Sequence, residues 1–202
     1  LRKLLFSILA VVAGYLLGSI SFSYLFGKWL RGIDIRKHGS GNAGATNTLR
    51  VLGKGPAVLV LVLDALKGVL AVALGYWASP EHVWIHALAG LAAIIGHNWP
   101  VYFGFRGGKG IATTVGVMAT LAFLPTLIAG LCAIVIIALT RFVSLGSLVL
   151  TALLPFLLLG MGRPLAYVIL AMLLCVFAFV RHRTNIVKMI QGKENRLGSK
   201  KA

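Results

Sequence analysis

Acidic residues are nearly missing from this chain: four Asp and Glu stand against twenty Lys and Arg in 202 residues, a formal charge of +16. The four, Asp34, Asp64, Glu81 and Glu194, are too scattered to make a D-x-x-D-G cluster, so no divalent metal of that kind is expected. None of the five histidines is followed by Asp at the H-x-x-x-x-D spacing, and no G-x-S-x-G nucleophile elbow occurs. Cysteine is as sparse. Cys132 and Cys175 lie far apart inside apolar runs, which excludes a disulfide framework and a paired-cysteine zinc site. Charged residues make up only 12% of the chain against 59% apolar, and a mean hydropathy of +0.94 excludes a water-soluble globule. In a soluble protein such basicity would suggest nucleic acid; here it points to membrane lipid, and no nucleic-acid partner is expected. Nothing calls for an obligate protein partner or a cofactor.

What the chain has instead is apolar length. Leu4 to Phe26 is a run of about 23 residues, ~34 Å as a helix, enough to cross a bilayer. It is too long for a signal-peptide core and no Ala-x-Ala-like cleavage site follows, so it is read as a retained first span. Gly14 and Gly18, spaced G-x-x-x-G, would let a neighbouring helix approach closely. Further runs cover residues 57–77, 83–102, 111–124, 126–139, 148–160 and 164–180. The expected fold is therefore a single all-α integral membrane domain over residues 1–202, with spans at 4–26 and these six positions. Of the seven transmembrane helices several are short, with cytoplasmic glycine-rich loops between them. Residues 111–139 are divided at Pro125 because Arg106, Lys109 and Arg141 then fall on one side. That arrangement puts sixteen basic residues on one face against Arg2, Lys3 and Arg163 on the other, with Lys67 inside a span. The positive-inside rule then places the N-terminus outside and the C-terminus in the cytoplasm.

Three segments on the basic face carry more glycine and amide side chains than a connector requires. In the first, Gly39, Gly41 and Gly44 free the backbone to turn its N–H groups inward, and Ser40, Asn42, Thr46 and Asn47 add neutral donors. Arg50 follows, with a fork suited to an anion. The same segment also reads as a capped turn opening the second span, with Thr46 or Asn47 as N-cap. The second segment, Gly104-Phe105-Arg106-Gly107-Gly108-Lys109-Gly110, runs into Ile111-Ala112-Thr113-Thr114 and a helix. Open glycine amides, a lysine and a helix N-terminus are the ingredients of phosphate binding, although the P-loop spacing fails because Phe103 occupies the first glycine position. In the third, Arg181-His182-Arg183-Thr184-Asn185-Ile186, His182 and Asn185 would share a face if the helix continued, and Glu194 lies beyond. Ser147, beside Gly146 at the start of the sixth span, offers another donor and also reads as an N-cap. Asp64 and Lys67 form a helical pair, with Lys67 also a candidate substrate ligand. His97 and Asn98 read as packing beside Trp99, and His82 and His86 as uninvolved.

The strings S-G-N-A-G-A-T-N from Ser40, G-G-K-G-I-A-T from Gly107 and R-H-R-T-N-I from Arg181, in this order, resemble the bacterial acyl-phosphate:glycerol-3-phosphate acyltransferases, the PlsY family. D-A-L-K-G at Asp64 and G-H-N-W-P before the glycine loop extend the resemblance over essentially the whole chain. It implies transfer of a fatty acyl group from acyl phosphate to the 1-hydroxyl of glycerol 3-phosphate, giving lysophosphatidate and phosphate, the first step of phospholipid synthesis. It further implies a cytoplasmic active site in the bacterial inner membrane, with no metal, CoA or acyl carrier protein. Carried over by motif, Ser40, Arg50, Lys109 and Ser147 would hold the glycerol 3-phosphate and the reacting phosphates, and His182 and Asn185 join them as catalytic candidates. Gly41, Asn42, Thr46, Asn47, Gly107, Gly108, Gly110, Thr113 and Glu194 complete the candidate substrate-binding set. A transporter of small phosphate-bearing anions is the alternative, but its site would be expected near the bilayer midplane between inverted repeats, and none is visible.

Overall fold

A computed structural model describes residues 1–198 and consists, among those residues, of α-helices and short 3₁₀ turns without a strand. Lys200 and Lys201, counted above on the basic face, lie outside the described residues. The chain separates into two compact units, the first Leu1–Leu121 and the second beginning at Ala122.

In the first unit the opening apolar run is broken into α1 (Arg2–Gly18) and α2 (Phe22–Arg31) by an irregular stretch at Ser19-Ile20-Ser21. A short helix α3 (Ala45–Leu52) leads through Gly53 into the long α4 (Lys54–Ala78), and α5 (Val83–Asn98) and α6 (Ile111–Leu121) complete the unit. The G-x-x-x-G pair decides how α1 meets α5. A Cβ on Gly14 would stand 2.7 Å from the Ala89 carbonyl oxygen, and one on Gly18 would collide with the backbone of Ala93. Only glycine lets the two backbones approach this closely, and in lipid such dispersion contact replaces the hydrophobic drive available in water. Tyr15 adds a hydrogen bond from its hydroxyl to the Trp99 carbonyl at 2.9 Å.

The break after α1 frees backbone groups that an apolar surrounding would penalise by several kcal/mol each if left unpaired. Lys67 of α4 meets this need: its Nζ donates to the Ile20 carbonyl at 2.7 Å and pairs with Asp64 at 2.8 Å. Both side chains are almost completely buried. The ammonium of Lys67 is thus engaged with a helix break and a carboxylate inside the unit, where the sequence had also offered it as a substrate ligand.

The second unit contains α7 (Phe123–Thr140), α8 (Val143–Gly160), α9 (Leu165–Arg181) and the short α10 (Arg183–Ile190). Gly146 brings α8 against α7, since a Cβ there would lie 2.8 Å from the Ala133 carbonyl oxygen. The tail is pinned to the α7–α8 corner: Leu197 N–H donates to the Arg141 carbonyl at 2.7 Å, and the Arg141 guanidinium returns two bonds to the Leu197 carbonyl at 2.7 and 3.0 Å.

Every apolar run of the sequence is largely helical, with boundaries that differ from expectation. Among the described residues, four stretches are by length and composition apolar enough to cross a bilayer: Arg2–Arg31, Lys54–Ala78, Phe123–Thr140 and Val143–Gly160; the bent pair α9 and α10 makes a fifth if taken as one span. The division in residues 111–139 falls at the extended Ala122, not at Pro125, because proline is tolerated in the first turn of α7. The sixth run begins at Val143 rather than Leu148, since Ser144 and Ser147 are helical.

Candidate active site

In the first unit, the chain between α2 and α3 is organised by two side chains. Asp34 accepts from the Arg36 N–H at 3.0 Å, capping the turn Ile35–Lys37, and holds the Arg36 guanidinium in a fork at 2.9 Å on each oxygen. That hydrogen bonding holds the Asp34 carboxyl below the usual carboxylate range. The remaining Arg36 nitrogen, Nη1, reaches the Phe103 carbonyl at 2.7 Å and that of Arg106 at 3.3 Å, and the guanidinium lies over the Tyr24 ring. Arg36 thereby ties the first glycine-rich segment to the second.

Asn47 is the other organiser. Its Nδ2 donates to the carbonyls of Ile35 at 3.2 Å and His38 at 3.0 Å, while its Oδ1 accepts from the Ser40 N–H at 2.8 Å. Gly39, at φ +63°, passes so close to Asn47 that a Cβ there would strike its amide oxygen. Ser40 and Gly41 are left exposed on the loop surface, Asn42 and Thr46 are half-buried, and Arg50 is exposed in the last turn of α3. Asn47 and Thr46 are not helix caps: Gly44 holds that position and both lie within α3. Asn47, expected to bind substrate, spends its amide on the loop itself.

The second segment packs back onto the end of α5. The last carbonyls of a helix lack intrahelical donors; here His97 and Asn98 receive the N–H groups of Gly108 at 3.1 Å and Gly107 at 3.3 Å. The two glycine amides expected to face an anion are therefore used to close the helix. Lys109 follows, half-buried, and Gly110 at φ +81° opens α6 with its carbonyl accepting from Thr114 at 2.7 Å. Thr113 sits in the first turn of α6 with its hydroxyl wholly buried and no hydrogen-bond partner, and Asn98 has neither amide atom paired. A Cβ at Gly108 would collide with the Ala43 carbonyl, so the loops bearing Ser40 and Lys109 are in contact.

In the second unit α9 ends at His182 and α10 leaves at a bend of 59°. The helix does not continue through the third motif, so His182 and Asn185 do not share a face of one rod; His182 is the corner. Its Nδ1 lies 2.8 Å from the Ala178 carbonyl, an acceptor, so the proton sits on Nδ1 and the lone pair on Nε2. Glu194 is buried and accepts from Ser144 Oγ and Asn185 Nδ2, each at 2.7 Å. It was expected to bind substrate; its Oε1 instead orients Asn185. Ser147 is not a cap: it lies in the second turn of α8 and donates to the Val143 carbonyl at 2.9 Å.

Comparison with known proteins gives these clusters their setting. The model of a family described as glycerol-3-phosphate acyltransferase matches residues 8–192. The chain is 57% identical to a glycerol-3-phosphate acyltransferase of Shouchella clausii (strain KSM-K16), covering 96% of this chain and 98% of that protein. It is 56% identical to one of Halalkalibacterium halodurans, with 96% of each covered. The chain belongs to the glycerol-3-phosphate acyltransferase family. Its structure is similar to crystal structures of PlsY, an integral membrane glycerol 3-phosphate acyltransferase, at 38% identity. The TM-score is 0.91 for the glycerol 3-phosphate form, covering 95% of this chain and 96% of that one. For the lysophosphatidic acid form it is 0.88, with 95% of each chain covered.

Membership in this acyltransferase family makes the chain a multi-pass integral membrane enzyme and leaves the transporter reading without support. Among the family motifs, sequence reasoning missed the residues that shape the loops. Asp34 and Arg36 had a legible signal, an Asp followed two residues later by Arg ahead of the glycine segment. Ser144 had a weaker one, a serine three residues before Ser147.

Proposed function

We propose that this acyltransferase transfers a fatty acyl group from acyl phosphate to the 1-hydroxyl of glycerol 3-phosphate. The observation that carries the reading is the joining of the Ser40–Arg50 and Gly107–Gly110 segments in one unit, by Arg36 and by the contact of Gly108 with Ala43. The exposed Arg50 and the nearby Lys109 supply the fixed and mobile charges that phosphate recognition needs, with Ser40, Gly41, Asn42 and Thr46 as neutral neighbours. Gly110 and Thr113 belong to the N-terminal turn of α6, whose first amides and dipole favour an anion.

Acyl phosphate is a mixed anhydride with a good leaving group, so alignment and charge neutralisation carry most of the work. The hydroxyl oxygen of glycerol 3-phosphate attacks the acyl carbon, the carbon–oxygen bond to phosphate breaks, and the hydroxyl proton passes to a phosphate oxygen, so that lysophosphatidate and inorganic phosphate leave. His182, with Nε2 as its basic nitrogen, is the rival proton acceptor. In the second unit Glu194 orients Asn185, and the motif resemblance adds Ser147 and Asn185 as candidate polar groups for the substrates. No metal, CoA or other cofactor enters this scheme.

The excess of basic residues on the loop side supports a site at the cytoplasmic face with the N-terminus outside, and the family resemblance implies the bacterial inner membrane. Purified protein in lipid, given palmitoyl phosphate and labelled glycerol 3-phosphate without metal, is expected to form labelled lysophosphatidate. Formation only from palmitoyl-CoA would overturn the donor, and no product from either would overturn the reaction. Retained turnover with an unchanged pH profile in His182→Gln would remove the histidine as base.

A further inference from the structure

We propose that Asp64 and His97 are positioning residues for the glycine loop: Asp64 fixes the His97 ring beneath Gly108 and so sets the backbone path that delivers Lys109. The inference rests on the reading of Lys109 as a phosphate ligand. Three observations lead to it. Asp64, Lys67 and His97 are all buried, at 1%, 3% and 6% exposure. Asp64 Oδ1 lies 2.8 Å from Lys67 Nζ and 3.5 Å from His97 Nδ1, so one carboxylate oxygen faces both cations or donors. The far edge of the same imidazole lies against the loop: a Cβ at Gly108 would strike His97 Nε2 and stand 3.0 Å from its Cε1.

The loop is thus gripped from two sides of one residue. The His97 backbone carbonyl accepts from the Gly108 N–H, and the His97 ring closes the space where a side chain at position 108 would go. Asp64 Oδ1 faces Nδ1 across 3.5 Å, an electrostatic contact without a hydrogen bond, and this contact holds the ring with its Nε2 edge toward the loop. Lys67 has a separate duty. It neutralises Asp64 and closes the broken end of α1 through the Ile20 carbonyl, so the same ion pair that mends the helix break also orients the ring under the loop.

Two substitutions at one position separate the orienting role from mere filling. Asn at 97 places its amide near Nδ1 and keeps the partner of Asp64, whereas Gln reaches the Nε2 position and keeps the group under the loop. His97→Asn and Asp64→Asn are expected to raise KM for glycerol 3-phosphate by roughly 10- to 100-fold, the range typical when a group that orients a binding residue is lost, with a smaller change in kcat. His97→Gln, which fills the space under the loop but gives up the Asp64 partner, is expected to recover little of that loss; full recovery would assign the effect to filling alone and overturn the role of Asp64. Hydrogen exchange followed by mass spectrometry supplies a readout independent of turnover: amides of residues 104–110 should exchange faster in His97→Asn and Asp64→Asn, and those of residues 45–52 should not. If Asp64→Asn fails to fold because Lys67 is left unpaired, the double variant Asp64→Asn, Lys67→Met removes that charge and is read in the same way. Unchanged loop exchange in all three variants, or His97→Asn with wild-type KM, would overturn the proposal. Faster loop exchange without acyl transfer by the wild type would uphold the positioning and overturn only the reading of the reaction.

Discussion

The loop around Ser40 and the tail beyond His182 solve the same problem with opposite chemistry. Each must hold a polar side chain at the end of a helix, and each does so through one buried residue that gathers several partners. In the loop the gatherer is Asn47, a neutral amide that can donate and accept, and it joins two carbonyls and one N–H. In the tail it is Glu194, a carboxylate that only accepts, and it joins two donors on one oxygen. A neutral gatherer costs little to bury and leaves the charge of the region to Arg50 and Lys109. A charged one makes stronger bonds but leaves a buried carboxylate to be satisfied, so the tail should be the more sensitive of the two to loss of its centre.

The largest expected effect lies outside both gatherers. Arg50→Ala and Lys109→Ala should each lower the initial rate of lysophosphatidate formation by roughly 100- to 1,000-fold, as removal of a charge-stabilising donor does elsewhere, with the melting temperature in detergent little changed. Near-normal rates in both would leave these residues as orientation charges only. Next comes the tail. Glu194→Ala should cost about 3 kcal/mol of stability by leaving Ser144 and Asn185 without their charged acceptor, and Glu194→Gln, which keeps one acceptor oxygen, should recover more than half by thermal unfolding. Equal losses in Ala and Gln would show that the charge itself matters to the tail.

Asn47→Ala should be milder for stability, about 1–2 kcal/mol, because the groups it frees lie near a polar surface. Its signature should be kinetic, with KM for glycerol 3-phosphate rising as Ser40 loses its backbone anchor. A rate and KM equal to wild type would detach Asn47 from the site. The smallest effect concerns Asp34. Its carboxyl is held below its ordinary value by Arg36, so the pair's stabilisation is present above the unfolded pKa of about 3.9 and is lost as pH falls through the lower folded value. The difference in melting temperature between wild type and Asp34→Asn should therefore be constant near neutrality and shrink below about pH 4. A difference that persists there would mean that Asp34 acts as the cap of Ile35–Lys37 and not through its charge.

The proposed functional residues that were legible in the sequence share one property: their chemistry is local. Ser40, Arg50, Lys109 and His182 stand in short strings rich in glycine and polar donors, and the strings survive any change in helix boundary. The G-x-x-x-G of α1 was legible for the same reason, since close approach needs two small residues one turn apart. What escaped was anything that depends on a partner distant in sequence. Gly107 and Gly108 read as open amides until α5 is seen to end against them, 70 residues from the Arg36 that secures the neighbouring carbonyls. The bonds that Asn47 and Glu194 make within their own segments were likewise hidden, because a polar side chain in a motif looks alike whether it faces substrate or holds the loop.

Composition and the order of apolar runs determined that this chain is helical and lies in a membrane, because about twenty apolar residues with few charges have no other stable setting in which every backbone group is paired. The three motifs, with their glycines and cations, determined the family and the class of anion. Tertiary structure decided where the helices break, at Ser19–Ser21, at Ala122 and at His182, and at the first of these Lys67 comes from α4 to meet the freed Ile20 carbonyl. It also decided which polar residues keep their hydrogen bonds for the fold and which are left for a substrate, because that choice rests on distances between segments that no single stretch of sequence contains.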